Sequence, residues 1–217
     1  MINLWTGFDS RESIGHAVFL HSVWSRTQHP VSIARCPNLV GTDGTNAFTL
    51  SRFLVPYWCD YEGFALYMDG SDMLCFSDIE QLWRLRDKAY AVQVVKHDYK
   101  TTHPVKYLGE PNHDYPRKNW SSVMLINCNH DAWKMVNPAT IKNMTGAQLH
   151  RFTFLRDELI GDLPPQWNYL CDEPNQTGPA KVAHFTLGLP IFPGFEDCQF
   201  VEDWYAEKSA MLSYKGD

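Results

Sequence analysis

Asp69 and Asp72 are separated by two small residues in the run Asp69-Gly70-Ser71-Asp72, directly after five apolar residues. Two carboxylates this close repel each other unless a cation or a hydrogen-bond donor lies between them. Their hard oxygens suit Mg²⁺ or Mn²⁺, and both ions also accept diphosphate oxygens as ligands. Gly70 and Ser71 leave room for a nucleotide to approach the backbone closely. The same four residues also read as an Asp-Gly surface turn with a capping aspartate.

The elements around the turn decide where its carboxylates point. Phe64-Ala65-Leu66-Tyr67-Met68 is a continuous apolar run, which predicts a central strand buried on both faces. Ligands in open α/β sheets gather at the carboxyl ends of such strands, and Asp69 and Asp72 fall at that end. Residues 1–5 form a first apolar run leading into the loop Thr6-Gly7-Phe8-Asp9-Ser10. Ser10 is a candidate cap for a helix reaching about Arg26, with Glu12 in its first turn and a stripe of Ile14, Ala17, Val18, His21 and Val23. Pro30 stops that helix.

Further strands are expected at residues 31–35, 89–95, 123–127 and 181–185. Helices are expected at 48–57, 79–85 and 201–213, and a turn-rich loop at 41–46. Residues 96–119 are polar and aromatic without a period, and loops of that length are often functional. Strands alternating with helices predict an α/β fold with a largely parallel sheet. No repeat, low-complexity segment or linker divides residues 1–217.

The chain has 217 residues, a formal net charge of -6 and a pI near 5.8. That acidity argues against nucleic acid, whose binders need a basic face. It argues equally against broad attachment to anionic membranes. No segment approaches the roughly 18 apolar residues of a membrane span, and no signal peptide is visible at the N-terminus. The six cysteines form no Cys-x-x-Cys pair and read as free thiols of a reducing compartment. A cytoplasmic enzyme is the expectation.

The stretch from Phe64 to Trp83 resembles the metal-binding segment of family 8 glycosyltransferases. In that family an apolar strand and Asp-x-Asp are followed by Asp-Ile or Asp-Leu, then Leu-Trp. Here Asp72 lies six residues before Asp78-Ile79, with Leu82-Trp83 beyond. Asp72 therefore matches the second family aspartate. The first falls on Gly70 and is displaced to Asp69, which gives Asp-x-x-Asp.

Further segments follow in the family's order. Ser121-Ser122 before Val123-Met124-Leu125-Ile126-Asn127 is similar to the small pair and strand that lead out of the donor-sugar pocket. Trp120 stands where the family has Asn, and Asn119 is one place off. The run from Leu155 to Asn168 resembles an Asp-Gln-Asp helix followed by Trp-Asn. Asp157 matches the first aspartate, Glu158 replaces Gln and Leu159 replaces the second aspartate. Ala183-His184-Phe185-Thr186-Leu187-Gly188 is similar to a His-Phe/Tyr-x-Gly segment. There the histidine completes the metal site and the glycine lets the backbone approach the diphosphate. Thr6, Gly7 and Asp9 occupy the place where the family binds the nucleoside. Arg11 and Arg52 are candidate contacts for diphosphate or sugar, because a guanidinium offers a planar fork of donors.

The resemblance implies a single GT-A-type domain, with a mainly parallel central sheet flanked by helices. Its nucleotide-binding half spans about residues 1–115 and its donor-sugar and acceptor half about 116–217. It implies a metal site of Asp69, Asp72 and His184, and an imidazole ligand favours Mn²⁺ over Mg²⁺. It further implies a UDP-sugar donor, a glycan-like acceptor and retention at the anomeric carbon, with Asp157 as nucleophile or as stabiliser of an oxocarbenium-like centre. Tyr99, Tyr115 and Trp120 are candidate stacking surfaces for an acceptor sugar, with Lys96 and His97 beside them. Two other readings stay open: a sugar-phosphate nucleotidyltransferase, although the N-terminal loop lacks its Gly-rich basic pattern, and a non-catalytic nucleotide-sugar or carbohydrate-binding protein.

Overall fold

Apolar runs become buried strands in this chain, and the acidic turn follows one of them, Phe64–Met68. The computed structural model describes residues 1–38 and 48–213. The turn-rich loop expected at residues 41–46 lies outside them. In chain order the elements are β1 (Ile2–Thr6), α1 (Ser13–Trp24), β2 (Val31–Arg35), α2 (Val55–Trp58), β3 (Phe64–Met68), β4 (Met73–Cys75), α3 (Glu80–Trp83), β5 (Val92–Val94), β6 (Val123–Asn127), α4 (Gly146–His150), β7 (Ile160–Asp162), β8 (Tyr169–Leu170), β9 (Val182–His184) and α5 (Val201–Leu212).

A six-stranded sheet runs in the order β2-β1-β3-β6-β5-β7. β1 pairs in parallel with β2 and β3, and β5 in parallel with β7. β6 is antiparallel to both neighbours. Parallel neighbours need a long crossover, usually a helix. Between β5 and β6 the chain instead makes a long loop, which lets β6 return in the opposite direction. One face of the sheet, with Leu4, Leu66, Met68 and Leu125, packs on Phe19 and Val23 of α1. The other, with Ala65, Tyr67, Met124 and Ile126, packs on Phe53, Trp133 and Phe152.

Three strands form a second small sheet, β4-β9-β8. β4 is antiparallel to β9, with Met73 opposite His184. Strands of two or three residues carry no readable period, and β4, β7 and β8 were not expected from sequence. Two other expectations change. Asp9, not Ser10, caps the first turn, by accepting from the Arg11 backbone N–H. The run resembling an Asp-Gln-Asp helix is a 3-10 turn, Asp157–Leu159, that enters β7. Gly161 and the Pro164-Pro165 pair leave too few residues there for a stable helix.

α1 lies directly on the acidic turn. A Cβ added at Gly15 would overlap the Ser71 carbonyl oxygen and the Leu189 side chain. Backbone cannot yield as a flexible side chain can. Gly15→Ala is therefore expected to lower the unfolding free energy by about 1–3 kcal/mol, read from urea denaturation. An unchanged midpoint would show that α1 does not press on the turn.

Candidate metal centre

The acidic turn sits where the two sheets meet. The Asp69 N–H donates to the Ser122 carbonyl at the start of β6, and the Asp72 carbonyl accepts from Phe185 N–H just past β9. Gly70 has φ of 78°, a left-handed conformation that lets the chain reverse between them. The register of β4 on β9 then brings His184 to the turn. One ligand atom from each of Asp69, Asp72 and His184 lies within 4.8 Å of the others.

Each group's partners define what it has left to offer. Asp69 Oδ1 accepts from Arg52 Nη1 at 2.7 Å and from the Tyr67 hydroxyl at 2.9 Å. Asp69 Oδ2 lies 3.9 Å from His184 Nε2. Asp72 Oδ2 is 3.1 Å from the same nitrogen, and Asp72 Oδ1 is buried with no hydrogen-bond partner. Burial raises the Asp69 carboxyl, against the pull of Arg52. Burial works against ionising Asp72 too, but His184, by its charge and its hydrogen bond, holds that carboxyl below the usual range.

The histidine's tautomer follows from its other side. Asn168 Nδ2 donates to the Asn119 carbonyl at 3.0 Å, so Asn168 Oδ1 is the atom that faces His184 Nδ1, at 2.8 Å. The network thus assigns the proton to Nδ1. In the neutral ring Nε2 then carries a lone pair aimed at a carboxylate. Lone pair and anion at that distance require a proton or a cation between them. A histidine oriented through its far nitrogen is the usual arrangement of a metal ligand. Two carboxylate oxygens, one orphaned buried oxygen and an imidazole nitrogen fit a divalent cation.

A cavity of about 100 Å³ opens on these three groups, and Arg52, Lys106, Tyr115, Asn119 and Thr186 also line it. Ser121 and Ser122 line it as expected, and Ser121 Oγ is 2.7 Å from His150 Nδ1. Arg52 is buried between Phe48 and Tyr67 and also donates to the Ser121 carbonyl. It buttresses Asp69 from within the cavity wall.

The other expected residues lie outside this lining. Thr6 is buried, with its hydroxyl 3.0 Å from His16 Nε2. Gly7 packs against the Phe48 ring, Gly70 faces Thr6 and Phe19, and Gly188 packs on Phe195. Ser71 is fully buried. The space that glycine leaves at these points is filled by the protein's own core. Asp9 and Arg11 bind each other through both carboxylate oxygens. Asp157 is 80% exposed and held by Arg117 at 2.6 Å, away from the cavity wall. Trp120 donates to the His97 carbonyl, and Tyr99 accepts from Asn119.

Sequence reasoning missed Glu12, Lys106, His150 and the role of Asn168. Glu12 is buried beside Tyr107, and its carboxyl is pushed up to about 8, by burial first and then by the Asp72 charge. His150 is pushed down to about 3 by burial and by the cations Arg52 and Lys106, so it stands neutral at the cavity wall. An Asn directly after Trp167 was the one signal in the sequence for Asn168; Lys106 lies in a loop without a period, Glu12 in the 3-10 turn before α1 and His150 at the end of the five-residue α4.

No protein-family model matches the chain. It is 38% identical over 220 residues to Protein CDI of Arabidopsis thaliana, which covers 94% of this chain and 85% of that protein. Among solved structures it is similar to the galactosyltransferase LgtC in complex with donor and acceptor sugar analogues. That likeness has a TM-score of 0.66 at 14% identity over 98% of this chain and 97% of LgtC. The bifunctional glycosyltransferase WbbM gives 0.63 at 15% identity over 96% of this chain, which spans 49% of WbbM. The glycosyltransferase GlyE of Streptococcus pneumoniae gives 0.64 at 14% identity over 98% of this chain and 63% of GlyE. The chain therefore has a GT-A-type fold, and it belongs to the family of Protein CDI.

Proposed function

We propose that this protein is a metal-dependent glycosyltransferase that moves a sugar from a UDP-sugar to a carbohydrate-type acceptor with retention. The observation that carries the reading is the convergence of Asp69, Asp72 and His184, with one ligand atom of each within 4.8 Å of the others and Asp72 Oδ1 buried without a partner, in a fold that glycosyltransferases share. Asp69, Asp72 and His184 would hold Mn²⁺, or less favourably Mg²⁺. Bound there, the ion supplies Lewis-acid stabilisation of the leaving diphosphate, of the order of several kcal/mol.

The chain's own groups supply the rest. Arg52 neutralises one oxygen of Asp69 and keeps the other turned towards the site. Lys106 and Asn119 line the space beside the carboxylates, where a donor's phosphate and sugar would meet them. In this reading the half at about residues 1–115 carries the nucleotide and the half at about 116–217 brings His184, Ser121 and Ser122. The acceptor proton goes to the leaving phosphate oxygen, and Asp157 receives no nucleophilic role, since Arg117 holds it at the surface. The described residues contain no helix long and apolar enough to cross a membrane. Six free cysteines support a reducing, cytoplasmic setting.

UDP release from a panel of UDP-sugars with Mn²⁺ tests the reaction. Turnover is expected with Mn²⁺ and is expected to vanish with chelator. Asp72→Asn should abolish it with the circular dichroism spectrum unchanged; near-normal activity in that variant would sink the assignment. Consumption of a nucleoside triphosphate instead would identify a nucleotidyltransferase, and binding without turnover a carbohydrate-binding protein.

Glu12 gives a second test, on stability. A carboxyl raised from 4.5 to about 8 stays protonated in the folded protein while the unfolded chain has already lost its proton. Stability therefore falls as pH rises through that window and levels off above it. In chelator-treated protein Glu12→Gln is expected to flatten this decline and to raise Tm at pH 8. Burial also raises Asp69, so part of the slope remains. Parallel Tm curves for the two proteins would show that Glu12 is not held protonated.

A further inference from the structure

A second, larger cavity of about 490 Å³ adjoins the metal centre and shares Thr49, Lys106, Tyr115 and His150 with it. Its size falls within the roughly 300–1,000 Å³ of small-molecule sites. Its wall carries three cations, Lys106, Lys118 and Arg151, and among the described residues no Asp or Glu lines it. The chain as a whole carries a net charge of -6, so the concentration is local.

The cations are not equally committed. Lys118 Nζ donates to Asn112 Oδ1 at 2.7 Å and lies 3.8 Å from Asp114. Among the described residues Lys106 and Arg151 form no ion pair. The Arg151 Nε is buried and has no hydrogen-bond partner. Lys106 acts electrostatically on Asp72, on His150 and on Lys118, which places it between the two cavities. Positive groups kept partly from water without counter-ions favour an anionic guest.

We propose that this cavity seats the carboxylate or phosphate of an anionic sugar substrate, between Lys106 and Arg151. The inference rests on the glycosyltransferase reading of the neighbouring centre and narrows its substrate class. The anion can belong to the acceptor or to the transferred sugar of the donor. In both cases Lys106 and Arg151 select charged over neutral sugars, and added salt weakens the selection.

Calorimetry on the full chain with Mn²⁺ tests this. With UDP present, glucose 6-phosphate and glucuronate are compared with glucose; without UDP, UDP-glucuronate is compared with UDP-glucose. The charged member of at least one set is expected to bind about ten-fold more tightly or better. Preference in the first set assigns the anion to the acceptor, and preference in the second to the donor. Arg151→Gln and Lys106→Gln are each expected to remove most of the preference. Arg151→Gln should keep the Mn²⁺ affinity of the parent, which also shows that it folds. Equal binding of charged and neutral sugars in both sets, or a preference that survives both substitutions, overturns the proposal. Mn²⁺ binding that persists while the preference is absent defeats this inference alone. Loss of Mn²⁺ binding with the preference intact defeats the metal reading instead.

Discussion

Two carboxylates and an imidazole nitrogen, all on buried or nearly buried side chains, come within 4.8 Å of one another. Burying charge is expensive unless each charge is paired and hydrogen-bonded. Arg52 and Tyr67 settle half of Asp69. Asn168 settles the far side of His184. What stays unsettled is one oxygen of Asp72 and the contact between Asp72 and Nε2. The remaining need is for positive charge at one point, and the surrounding side chains leave a small cavity there.

Holding that arrangement is the task of the backbone around it. The turn is fastened to β6 through Ser122 and to the end of β9 through Phe185. α1 closes on it at Gly15, and Gly70 has its own neighbours in Thr6 and Phe19. These are contacts between elements far apart in sequence, so the centre is assembled only when both sheets are. Close-packed interiors deform little, so these contacts hold the three side chains in place.

The apolar strands were legible because a run buried on both faces needs no period, as Phe64–Met68 and Val123–Asn127 illustrate. Asp69, Asp72 and His184 were legible as a set only through the order of segments along the chain; the structure places them together. The rest was hidden for a physical reason. Lys106 and His150 reach the cavities from a loop and from the end of the five-residue α4, where side-chain direction follows tertiary contacts and not a repeat. Arg52 was visible as a donor fork, but nothing local says that its fork closes on Asp69. Asp157 shows the opposite case: a matching residue type lies not on the expected helix but on a 3-10 turn that enters a strand, with its carboxylate paired to Arg117.

The displaced aspartate follows from strand geometry. Side chains alternate along a strand, so residues two apart share a face. Asp69 still donates its N–H to Ser122 beside β6, and so lies one step beyond β3 in the same register. It shares the face of Tyr67, which gives it a hydroxyl and stacks on the guanidinium that pairs with it. An aspartate one residue later would fall on the opposite face, at the left-handed position of Gly70, towards Thr6 and Phe19. There it would meet the apolar packing of α1 and no cation. The spacing of two residues between the acids therefore puts the first on the arginine face of the strand, while the reversal at Gly70 returns the second to His184.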